Sequence, residues 1–119
     1  MRFMRILAGL VGAALLAGEV ARRGESLFGA PRALDDVVAG AVLLALAVAG
    51  HRAGPALHAA GWALFTGVML ATLGINLDAW LTDTTKPRAG LYSAVLALMV
   101  AAGAGSTLWW ARRNWSRRR

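Results

Sequence analysis

Cysteine is absent from the 119 residues, which removes disulfide frameworks, thiolate metal sites and redox thiols from consideration. Acidic residues are scarce as well, six Asp and Glu against 13 Lys and Arg, for a formal charge of +7. Charge of either sign is missing from Ala56–Leu77 and from Ala89–Ala111. A soluble helical bundle of this size needs charged outer faces, so neither stretch reads as a surface helix of a soluble domain. Also missing are a Ser-His-Asp grouping, a phosphate-binding glycine loop and carboxylates in a recognisable motif; no enzyme, cofactor or metal site is expected. Neither a low-complexity linker nor an internal repeat divides residues 1–119, which read as one domain.

What remains is strongly apolar. Hydrophobic residues make up 58% of the chain and the mean hydropathy is +0.55, values that place it among integral membrane proteins. In a soluble protein a pI near 11.7 would suggest nucleic acid. Here the basic residues stand at the ends of apolar runs, and Arg112, Arg113, Arg117, Arg118 and Arg119 are interleaved with Trp109, Trp110 and Trp115. That pattern suits an anchor facing anionic lipid headgroups or a partner, with Arg112, Arg113, Trp115, Arg117, Arg118 and Arg119 as its residues, and argues against nucleic-acid binding. The basic start Met1–Arg5 and the apolar Ile6–Gly18 imitate a signal peptide, but Glu19 and Val20 stand where small residues would be needed for cleavage. A retained first helix is expected.

The fold class that follows is an all-α membrane protein, a four-transmembrane-helix antiparallel bundle with both termini inside. Its helices are expected at about 3–21, 34–50, 56–77 and 89–111, with a basic tail over 112–119. Arg22-Arg23-Gly24-Glu25 and Gly29-Ala30-Pro31 break the first from the second. Asp35 and Asp36 are suited to cap the second helix, whose uncharged core Val37–Gly50 is short enough to raise a re-entrant alternative. Gly54 before Pro55 predicts a tight hairpin between helices two and three, and the polar loop Asp78–Arg88 leads into the fourth.

Charge sets the orientation. With four crossings, Arg2, Arg5, Arg52, Arg112, Arg113, Arg117, Arg118 and Arg119 share one side; Arg22, Arg23, Arg32, Lys86 and Arg88 share the other with all six acids. The Lys and Arg excess favours cytoplasmic termini in a bacterial inner membrane. Trp62, Trp109 and Trp110 are expected at the inner interface, and Trp80 and Tyr92 at the outer.

Small residues recur every fourth position in Gly9-Ala13-Ala17, Ala41-Ala45-Ala49, Ala63-Gly67-Ala71 and Ala97-Ala101-Gly105. Packing within the bundle is their expected use, and an interface with another membrane subunit or a second copy is the alternative. Glu19 is an acid inside the first span, where a proton- or cation-linked role competes with ion pairing to nearby Arg22 and Arg23. Thr72 and Asn76 share one face of helix three, with Asp78 beyond; they would line a polar vestibule or bond across helices. His51 and His58 flank the Gly-Pro turn without the spacing or third ligand of a metal or haem site. The expected function is an accessory, scaffold or assembly subunit of a larger membrane complex. A homodimeric small transporter or cation channel using Glu19 and the outer acids is the alternative.

Overall fold

The places where the apolar runs break decide the architecture. The computed structural model describes residues 2–23, 31–82 and 89–118, apart from the side chains of 19–23, 31–34, Ala79, Ala89 and Arg118. Among these residues four α-helices follow one another: α1 (Arg2–Arg23), α2 (Pro31–Ala49), α3 (Gly54–Thr82) and α4 (Ala89–Arg118), with a single turn of 3-10 helix, Gly50–Ala53, between α2 and α3. All regular structure among the described residues is helical.

Several boundaries differ from those expected. Helix α2 starts at Pro31, whose fixed φ and missing N–H suit a first helical position, so Asp35 and Asp36 lie inside the helix and do not cap it. Helix α3 runs on through Asp78 to Thr82, whose Oγ1 donates to the Asp78 carbonyl. Helix α4 takes in most of the basic tail, because arginine is a good helix former and Arg113 lies over the Trp109 ring one turn earlier, 4.8 Å from its centroid. The expected hairpin is present. Gly50 and Gly54 both adopt positive φ, +57° and +76°, and Pro55 sits in the first turn of α3.

Among the described residues two stretches are long and apolar enough to cross a membrane, Asp35–Thr82 with 48 residues and Gly90–Arg117 with 28. The expectation of an all-helical membrane chain is thus met in its coarser part, with two such stretches in place of the four expected. Their apolar windows are only 28% and 17% buried within the molecule. A core helix of a soluble protein hides most of such a window, so this exposed apolar surface supports a membrane protein.

Helices adjacent in sequence are adjacent in space, with α3 and α4 packed most extensively and α1 and α2 next. The resulting body measures 53 × 30 × 21 Å. All four helices contribute to one core: Met4 and Ala8 from α1, Leu43 from α2, Trp62, Phe65 and Met69 from α3, and Trp110 from α4. Trp62 is fully buried, edge-on to Phe65, and Trp110 is nearly so. Both were expected at an interface; as the largest side chains near the converging helix ends, they turn inward and fill the space there.

The glycines that bring helices together are not those of the four-residue stripes, apart from Gly9, which faces Ala47. A Cβ on Gly12 would stand 2.7 Å from the Gly40 carbonyl oxygen, and one on Gly40 would stand 3.0 Å from that of Gly12. The α1 and α2 backbones therefore touch at this pair. Gly61 admits Leu46 in the same way, and Gly103 admits Phe65 and Thr66. By contrast Ala63, Gly67 and Ala71 of α3 and Ala97, Ala101 and Gly105 of α4 face outward, with nothing within 4 Å of a Cβ at Gly67 or Gly105. Ala13 and Ala17 of α1 and Ala41 and Ala45 of α2 are exposed as well, so the expectation that the stripes serve internal packing is corrected apart from Gly9 and half-buried Ala49.

Candidate functional site at the basic end of the bundle

The start of α1, the α2–α3 turn, the first turns of α3 and the end of α4 meet at one end of the molecule. Arg5 of α1 reaches across to the end of α2, where its Nε donates to the Ala47 carbonyl and its Nη2 to that of Val48 at 3.1 Å. These are carbonyls that a helix terminus leaves without intrahelical partners, and a cation there also complements the helix dipole. The Arg5 guanidinium lies against Gly50, where a Cβ would meet it at 3.3 Å. Gly50 thus satisfies both the turn and the close approach.

His58 secures the same turn from α3. Its Nε2 lies 2.6 Å from the Gly50 carbonyl, which can only accept, so Nε2 carries the proton. The imidazole is buried and stacked on Trp110, ring centroids 4.2 Å apart and planes at 11°. One residue of α3 thereby ties the turn to α4. The indole N–H groups of Trp62 and Trp110 are both buried without a hydrogen-bond partner.

A cavity of about 250 Å³ opens beside these groups, lined by Arg2, Arg5, Gly50, His51, His58 and Trp110. No acid lines it. The sequence singles out His51 and His58 only as neighbours of a turn, and nothing in their spacing reveals that Arg2, Arg5 and Trp110 converge on them. Among the described residues no group of three or more His, Asp or Glu gathers to hold a metal.

The residues expected to carry function are dispersed. Asn76 donates from Nδ2 to the Oγ of buried Ser93 at 2.8 Å, a bond between α3 and α4, while Thr72 Oγ1 donates to the Val68 carbonyl within α3. Asp78 is exposed near the far end of α3. Glu19 falls within α1, but its side chain lies outside the described residues, as do the side chain of Arg118 and all of Arg119. The side chains of Arg22, Arg23 and Arg32 are likewise undescribed, and Asp83, Lys86 and Arg88 lie wholly outside the described residues. Arg112, Arg113, Trp115 and Arg117 are exposed on the last turns of α4. An open recess of about 770 Å³ borders Trp109, Arg112, Arg113 and Arg117, its walls all from that helix. Compared with models of protein families, with curated proteins and with solved structures, the chain matches none.

Proposed function

We propose that this chain is a small polytopic membrane protein whose task is to pack against another membrane protein, as an accessory, scaffold or assembly subunit. The observation that carries this reading is the outward direction of the α3 and α4 small-residue stripes. Lipid tails solvate leucine as readily as alanine, so a lipid-facing surface has no need of small side chains. A helix packed at close range does. Gly67 and Gly105 have open space where a partner backbone could approach.

The topology we propose is four crossings with cytoplasmic termini in a bacterial inner membrane. At 1.5 Å per residue the 48 residues of Asp35–Thr82 would extend about 72 Å, far beyond a hydrocarbon core of about 30 Å. The run folds back at Gly50–Gly54 with Gly61 against Leu46. α2 and α3 therefore make an antiparallel pair, to which α1 and α4 add one crossing each. The arginine-rich end then faces the cytoplasm by the positive-inside rule.

The test is to tag the chain, solubilise membranes gently and determine the mass and composition of the particle that carries it. Fixed stoichiometry with a larger complex, lost in Gly67→Leu or Gly105→Leu, supports the subunit role. A particle holding only copies of this chain, unchanged by both substitutions, overturns it.

A further inference from the structure

The two arginines at the start of α1 border two cavities. Below the polar one, a groove of about 520 Å³ descends the α1–α2 seam, lined by Arg2 and Arg5 and then by Ile6, Gly9, Leu44, Ala47 and Val48. Cationic side chains thus border an open, shallow apolar groove. Gly9 keeps the groove low, since its missing side chain would point toward Ala47.

We infer that this paired cavity is a binding site for one anionic phospholipid, with the phosphate held among Arg2, Arg5 and His51 and an acyl chain lying over Gly9 between α1 and α2. Three independent features support it. The polar cavity is lined by cationic and imidazole groups with no acid, and bidentate guanidinium groups match phosphate oxygens. Arg5 is fixed in advance by its bonds to α2, so little side-chain freedom is lost on binding. Trp110 lines the same cavity and carries a buried indole N–H that has no partner within the described residues. A free phosphate would use the upper cavity alone; the apolar groove, which shares Arg2 and Arg5 with that cavity, selects a lipid. Basic pockets between helix ends are a recurrent way of holding anionic headgroups.

The inference rests on the membrane reading of the chain and is independent of any partner protein. Its test is native mass spectrometry of the full chain in mild detergent, titrated with phosphatidylglycerol, with phosphatidylcholine of the same acyl chains, and with inorganic phosphate. One phosphatidylglycerol should be retained in preference to phosphatidylcholine by about tenfold, the discrimination expected of one charge-assisted contact. Arg2→Gln, which leaves the Arg5 bonds to α2 in place, should remove most of that preference. Gly9→Leu should weaken long-chain phosphatidylglycerol while sparing the dihexanoyl form, a separate reading should Arg2→Gln fail to fold. Equal retention of the two lipids overturns the site. So does a preference that survives Arg2→Gln and vanishes in Arg112→Gln/Arg113→Gln, which would put the lipid on the tail. Competition by inorganic phosphate at the same concentration as lipid would show a free anion to be the ligand and overturn the lipid assignment.

Discussion

Apart from the indole N–H groups of Trp62 and Trp110, the buried hydroxyls and the buried imidazole of this molecule find hydrogen-bond partners close by, as an apolar surround requires. Thr66, Ser106 and Thr107 each donate to the carbonyl four residues earlier, at 2.7 Å, 2.8 Å and 2.8 Å. His58, like Arg5 and Asn76, spans elements, and its ring joins the Gly50 carbonyl to Trp110. Removing it deletes a hydrogen bond, a ring stack and a buried volume together. We expect His58→Ala to destabilise the chain by about 2–4 kcal/mol, read as earlier thermal unfolding in detergent. His58→Gln, able to donate to Gly50 but unable to stack in the same way, should recover part of the loss. Equal stability of wild type and His58→Ala would show that the turn holds without it. Arg5→Gln should cost less, about 1 kcal/mol, because its target carbonyls at the helix terminus retain access to solvent.

At the scale of helices, glycine position separates internal seams from free faces. Gly12→Ala places a methyl group against the Gly40 backbone, which cannot rotate aside as a side chain could. We expect it to push α1 from α2 and cost about 1–3 kcal/mol. Gly67→Ala meets nothing within 4 Å and should leave unfolding unchanged, or raise stability slightly through helix propensity. Similar losses at both positions would remove the distinction. This contrast also marks how far the sequence could be read. The helices, the Gly54-Pro55 hairpin and the apolar class follow from uncharged runs and turn residues, which are local signals. Which of 14 glycines faces a neighbour is not local, because α1 through α4 all carry small residues on more than one side. The same limit hid the basic cavity, whose residues come from positions 2 to 110 and share no spacing. Trp62 was misplaced for a related reason: a tryptophan near a helix end fits an interface and a core equally well until the neighbouring helices are positioned.

For the whole molecule, the decisive quantity is which ends of α3 and α4 share a compartment. The described acids Asp35, Asp36 and Asp78 belong to the end of the body opposite the Arg5–His58 cluster, so charge is divided along the 53 Å axis. Such a division fixes orientation only if the helices cross the bilayer, and α4 offers a direct measurement. Because the chain lacks cysteine, a single introduced thiol is a unique probe. Thr82 at the end of α3 and Ser116 near the end of α4 are both exposed, and all of the apolar Gly90–Arg117 stretch up to Ser116 lies between them. We expect Thr82→Cys to react with a membrane-impermeant maleimide in intact cells and Ser116→Cys to react only after the membrane is opened. The reverse pattern would invert the orientation and move the basic cavity to the outer leaflet. Reaction of both thiols from the same side would mean that α4 does not cross, and the exposed stripe Ala97-Ala101-Gly105 would then have to be covered by protein or by the membrane surface.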